Sequence, residues 1–225
     1  GDPAHFDGAI IQGNFLPAEP MGFGSDPEIL WELLKSVEGW DCVDVSPECA
    51  TSLGKIIENE MGVRVRYYSD VYHVLSRPVV RFQNEAVRQL TLDDTGLLKT
   101  APEVIRNGTF GNPLKLLEEG FIACAIVSGR IVATASSCAQ TNRHADIGVF
   151  TEEEWRGRGF ATAAASIVTQ RVQEAGKIPV WSTGEGNLAS LRVARKLGFT
   201  EVSRGMYVIK EKTNESESIS SIHKQ

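Results

Sequence analysis

The residues best placed to do chemistry are Arg156-Gly-Arg-Gly-Phe-Ala161, which close the stretch Asp146–Ala161. The left half of that stretch reads as a β-strand and the right half as a glycine loop. Thr162 to Gly176 then reads as an amphipathic helix, with Ala164, Ile167, Val168 and Val172 toward a core. Gly157 and Gly159 leave backbone N–H groups bare of side chain where the helix begins. A helix start carries unsatisfied donors and about half a positive charge, so it is an anion site, and a pyrophosphate is the expected anion. Arg156 and Arg158 add cationic donors beside it. An ordinary strand-to-helix turn also prefers small residues, so the loop alone does not decide its use. A dinucleotide loop fits less well, because Gly157-Arg-Gly159 lacks the third glycine, and no Gly-Lys-Ser/Thr is present.

The elements that must position this loop are legible around it. His144–Thr151 is the strand entering it. Upstream, Phe121–Val127 and Arg130–Ser136 flank Ser128-Gly129, a hairpin signal. Downstream, Ile178–Thr183 reads as a strand. Asn187 caps a helix in which Leu188, Leu191, Ala194 and Leu197 recur every third residue before Gly198 stops it. Phe199–Lys210 reads as one or two strands. The first third of the chain has its own signs. Asp26-Pro27 opens a helix, Cys42–Val45 is a short strand, and Ser46-Pro47 opens a second helix that ends at Gly62. Val63–Tyr67 and Val71–Leu75 read as two strands, and Ala9–Gln12 as another. These signs predict an α/β (α+β) protein. Its expected divisions are an N-terminal unit over 1–79, a second domain over 80–211, and a flexible tail over 212–225.

The totals narrow the function classes. With 225 residues, 42% hydrophobic and 23% charged, the chain has the composition of an ordinary globular protein. A net charge of −6 argues against a nucleic-acid partner. No apolar run approaches membrane-spanning length, and no signal-peptide pattern opens the sequence. Cys42, Cys49, Cys124 and Cys138 are scattered without a Cys-x-x-Cys, so they read as reduced, mostly buried thiols of a cytoplasmic protein, with no metal site.

Arg156-Gly-Arg-Gly159-Phe-Ala161, Asn187-Leu-Ala-Ser190 and Lys196-Leu-Gly-Phe199, at this separation and behind a hairpin, resemble the GCN5-related N-acetyltransferase (GNAT) superfamily. The resemblance covers Val80 to about Lys210. The residues before it look like the N-terminal half of some bacterial members, read as a degenerate copy of the same fold. It implies a mixed, centrally splayed sheet flanked by helices. It implies that Val149, Phe150 and Thr151 offer backbone groups to the pantetheine of acetyl-CoA. The N–H groups of Gly157, Arg158, Gly159, Phe160 and Ala161 would hold the pyrophosphate, and Asn187 and Ser190 would touch the cofactor. It also places the base on the strand entering the loop, with Asp146 the first choice and His144 the second. A solvent-facing strand explains those two residues more simply. Glu152 could face substrate, whereas Glu185 reads as charge compensation at a helix start.

The chemistry implied is direct attack of an amine on the acetyl thioester in a ternary complex. An alkyl amine near pKa ~10 must first lose a proton, and the oxyanion needs a backbone donor from around Val149. One residue departs from the pattern. Many members place a Tyr, as acid for the leaving sulfur, where this chain has Ala194. Tyr207 is a substitute, or the thiolate leaves unassisted. A non-catalytic acyl-CoA sensor and an acyltransferase with a longer acyl donor are the rival readings. The expected acceptor is a small-molecule amine or a basic peptide, with neither nucleic acid nor membrane as partner and a homodimer left open.

Overall fold

The computed structural model describes residues 6–14, 16–103, 105 and 113–211. The expected tail over 212–225 lies outside the described residues. In chain order the elements are β1 (Gly8–Ile11), β2 (Met21–Gly24), α1 (Pro27–Leu34), β3 (Cys42–Val45), α2 (Pro47–Met61), β4 (Val65–Val74) and β5 (Val87–Gln89). There follow α3 (Thr95–Lys99), α4 (Pro113–Glu119), β6 (Ile122–Val127), β7 (Arg130–Gln140), β8 (His144–Thr151), α5 (Phe160–Glu174), β9 (Ile178–Gly184), α6 (Leu188–Leu197) and β10 (Thr200–Lys210). Single 3-10 turns cover Leu92–Asp94 and Glu153–Trp155. The contacts divide the chain into two compact units, Gly1–Asp70 with Arg204–Gln225, and Val71–Ser203.

In the first unit, β1 and β2 form an antiparallel hairpin, β2 meets β3 in parallel, and Met206–Ile209 of β10 pairs antiparallel with β3. Helix α1 begins as its sequence predicts. The Asp26 side chain accepts hydrogen bonds from the N–H groups of Glu28 and Ile29, and Pro27 fills the first turn. Helix α2 ends at Gly62 in the left-handed conformation. Leu30, Leu34, Val43, Leu53, Ile57 and Val208 close the core of this unit. One expectation changes here, and one strand appears that the sequence did not announce. Val63–Tyr67 and Val71–Leu75 are one continuous strand, β4. Met21–Gly24 is a strand although two of its four residues are glycine, because β1 offers it a ladder partner.

The second unit is a mixed sheet with helices on both faces. Strands β5, β6, β7 and β8 pair antiparallel, and β9 joins β8 in parallel. The hairpin between β6 and β7 turns at Ser128 and Gly129, both at positive φ, as the dipeptide predicts. Alternation sends Ala145, Ile147 and Val149 of β8 toward a core shared with Ala164, Val168 and Val172 of α5 and Leu197 of α6. The opposite face carries a second core, where Phe150 packs with Leu98 of α3, Leu116 of α4, and Ile122 and Cys124 of β6. Leu75 and Val79 pack into the α5 core of this unit. The buried Cys124 thiol is pushed up to about 12 by desolvation, so it is an inert core group; Cys42 and Cys49 of the first unit are also free and buried.

Candidate active site

Strands β8 and β9 begin as neighbours and then part. Their shared ladder covers His144 with Ile178, Ala145 with Pro179 and Asp146 with Val180, and stops there. Strand β8 runs on to Thr151 and β9 to Gly184. On its other side β8 stays paired with β7, out to Thr151 opposite Ala133. The far half of β8 therefore turns one edge of its backbone to the opening, and main-chain donors and acceptors at a free strand edge bind an extended ligand. Val149, Phe150 and Thr151 line this stretch, each half-buried. The Thr151 hydroxyl is buried and meets no hydrogen-bond partner among the described residues.

The glycine loop follows at once. Gly157 has φ 77° and Gly159 φ 79°, a region that costs an L-residue roughly 1–2 kcal/mol. A Cβ built at either glycine would meet nothing within 4 Å, so the space beside this backbone is open. Gly159 is the N-cap of α5, and no side chain among the described residues caps that helix. Ala163 N donates to Gly159 O at 3.0 Å, which leaves the N–H groups of the first turn, at Phe160 and Ala161, directed out of the helix. Arg156 Nε donates to Thr151 O at 3.3 Å, and the Arg158 guanidinium lies 4.5 Å from the centre of the Trp155 ring. Among the described residues neither arginine is in an ion pair. First-turn N–H groups, an uncapped helix start and two arginines thus lie within one short loop. Glu152 does not face this space. Its carboxylate pairs with Arg130 and its N–H donates to Val132 O at 3.0 Å, so β7 holds it.

Asp146 sits on the last shared rung, on the face opposite the α5 core. Ser182 Oγ, two residues along β9 from the partner Val180, donates to both Asp146 carboxylate oxygens at 3.4 Å. Strand parity puts both side chains on one face, and that parity is the signal by which Ser182, absent from the sequence expectations, was open to being found. His144 lies one pleat earlier, about 7 Å back along the strand at ~3.3 Å per residue. Its N–H donates to Thr141 Oγ1 at 3.0 Å and its carbonyl accepts from Thr141 N at 2.9 Å, so it belongs to the turn entering β8. The structure brings Asp146 to the point of divergence and leaves His144 behind it.

Asn187 and Ser190 are both engaged inside the protein. Asn187 Oδ1 accepts from Ser190 N at 3.2 Å as the cap of α6, and Ser190 Oγ accepts from Trp181 Nε1 at 2.9 Å. Ala194 has no exposed surface and packs beside Ala164, Leu197 and Phe199. Tyr207 belongs to the other unit, opposite Asp44 on β3. Burial, then the Asp44, Asp70 and Glu19 carboxylates, push its phenol well above its usual value and make it a poor proton donor. Among the described residues, no group of three or more His, Cys, Asp or Glu side chains is placed to hold a metal ion. None of the described helices is long and apolar enough to cross a membrane.

Comparison with known proteins bears on the same residues. An uncharacterized N-acetyltransferase, YdfB of Bacillus subtilis (strain 168), is 29% identical over 85 residues, 38% of this chain and 33% of the relative. The matched stretch thus spans about a third of that curated relative's length. A GCN5-related N-acetyltransferase-like protein of Streptococcus suis 89/1591 shares the fold with a TM-score of 0.63 at 19% identity, over 93% of this chain and 86% of its own. A GNAT-family acetyltransferase structure from Novosphingobium aromaticivorans DSM 12444 aligns with a TM-score of 0.52 at 22% identity, over 68% of each chain. The profile of the GNAT acetyltransferase family matches residues 53–207, which takes in the parted strands, the glycine loop and both helices that follow, and this chain belongs to that family.

Proposed function

We propose that this protein is an acyltransferase that moves an acetyl group from acetyl-CoA to a primary amine by direct attack in a ternary complex, in the cytoplasm. The observation that carries the reading is the end of the β8–β9 ladder at Asp146 and Val180, immediately before an uncapped glycine-lined helix start. The residues present fit the donor. The free edge of Val149, Phe150 and Thr151 suits the amide-rich pantetheine arm. The N–H groups from Gly157 to Ala161, with Arg156 and Arg158, suit the pyrophosphate. When bound, the donor supplies an activated thioester carbonyl, so no covalent enzyme intermediate is required. A backbone N–H near Val149 stabilises the oxyanion. Asp146 takes the proton from the incoming ammonium, whose pKa of ~10 keeps it protonated at neutral pH. Ala194 supplies no acid, so the thiolate, with a thiol pKa of ~8.5, leaves as such and the second proton of the attacking nitrogen passes to solvent. A cationic acceptor, a small amine or a basic peptide, suits the net charge of −6.

The test is thermal stability with and without saturating acetyl-CoA, with NAD and ATP as controls, followed by turnover with an amine panel. A ligand at about a hundred times its dissociation constant adds roughly 2.7 kcal/mol to the native state. Stabilisation by acetyl-CoA alone, with CoA released in the presence of an amine, is the expected result. Stabilisation by NAD or ATP instead overturns the reading. Binding without turnover would leave the acyl-CoA sensor that the buried Ala194 favours, and preference for longer acyl-CoA thioesters would move the donor class.

A further inference from the structure

Trp181 is the first residue of β9 beyond its last rung with β8. Strand β9 keeps β4 as its neighbour on the other edge, but on the β8 side no ladder bond fixes the width of the gap beyond that rung, so side-chain contacts must help set it. On the face toward α5 and α6 the holder is the indole. Trp181 is 1% exposed and stands edge-on to Phe199, with ring centres 5.5 Å apart. Its one polar atom, Nε1, donates to Ser190 Oγ at 2.9 Å. Ser190 lies in the first turn of α6, where Asn187 Oδ1 fixes its own N–H. Ser190 is therefore held twice, its N–H by the helix cap and its hydroxyl by the strand.

We infer that Ser190 is a positioning residue: through Trp181 its hydroxyl fixes the free half of β9 at the separation from β8 that admits the acyl donor, and it does not touch the donor itself. The inference rests on the proposed reading of this opening as the donor cleft. Removing the Ser190 oxygen alone leaves a buried indole N–H without a partner, whereas removing both partners relieves that penalty. This asymmetry separates anchoring from direct contact.

The experiment measures the dissociation constant of acetyl-CoA, and amide hydrogen exchange over residues 181–184, for the full chain and for Ser190→Ala, Trp181→Phe and the double variant. Anchoring predicts that Ser190→Ala weakens binding about tenfold and speeds exchange over 181–184. The double variant then binds more tightly than Ser190→Ala alone, and Ser190→Thr stays within about twofold of the unaltered protein. Ile122→Val, in the core of the opposite face, lowers Tm without moving the dissociation constant. Equal weakness of Ser190→Ala and the double variant, with Trp181→Phe unchanged, means that Ser190 meets the donor directly and overturns the inference. Unchanged binding in Ser190→Ala overturns it too. If the unaltered protein does not bind acetyl-CoA, the donor-cleft reading falls. The exchange data then decide whether Ser190 anchors β9.

Discussion

Two strand-to-helix turns leave the edges of the same opening, and they treat their backbone donors in opposite ways. The turn from β9 into α6 satisfies itself: Asn187 caps the helix, and Ser190 binds the indole of the strand just left behind. The turn from β8 into α5 does not. Its N-cap is a glycine, no side chain among the described residues caps the first turn, and open space lies beside Gly157 and Gly159. Unpaired N–H groups at a helix end are costly when buried and useful when an anion can reach them. On the proposed reading, one turn holds the fold and the other holds a ligand. Helix α1 follows the first pattern, with Asp26 accepting from two N–H groups.

Gly159→Asp puts a carboxylate where the anion would sit and a side chain at φ 79°. Acetyl-CoA binding should disappear, a loss of at least about a hundredfold by calorimetry. Unchanged affinity would make the turn into α5 no different in use from the turn into α6. Asp146→Asn keeps the size of the side chain and removes the proposed base. Its kcat should fall by about 10²–10⁴ while the dissociation constant for acetyl-CoA stays put, and a variant with full kcat would return Asp146 to an ordinary strand position.

Smaller effects sharpen the structural side of the contrast. Ala194→Tyr installs the phenol that many members of the superfamily carry, but here the site has no exposed surface. Overpacking should cost roughly 1–3 kcal/mol in urea denaturation, with no gain in kcat. A gain would show that the α6 packing yields and that a missing acid limits the rate. Asn187→Ala should cost about 1 kcal/mol through the lost cap and weaken acetyl-CoA only as far as the anchor of Trp181 loosens. A large loss of affinity at full stability would instead place Asn187 against the donor.

Much of the fold was open to reading from local signals. The Asp26-Pro27 start of α1, the Gly62 stop of α2 and the Ser128-Gly129 hairpin are local chemistry, and each forms where its residues say. Strand β2 escaped because Met-Gly-Phe-Gly carries little strand preference and is held by its pairing with β1. Strand β4 read as two pieces because Tyr68-Ser-Asp70 breaks the alternation, although the strand continues through it. Glu152, a surface carboxylate by its neighbours in sequence, is claimed by Arg130 on another strand.

The glycine loop, the strand before it and the helix after it were determined by residues within one short stretch, because glycine dihedrals, helix starts and strand alternation are properties of neighbours in sequence. The rung at which β8 and β9 part, the engagement of Ser190 by Trp181, and the meeting of Ser182 with Asp146 join residues 9 to 36 positions apart. No local rule specifies them. They follow from which side chains the packed sheet and helices bring within reach, and only the tertiary structure decided that Asp146 stands at the divergence while the Ser190 hydroxyl turns to Trp181.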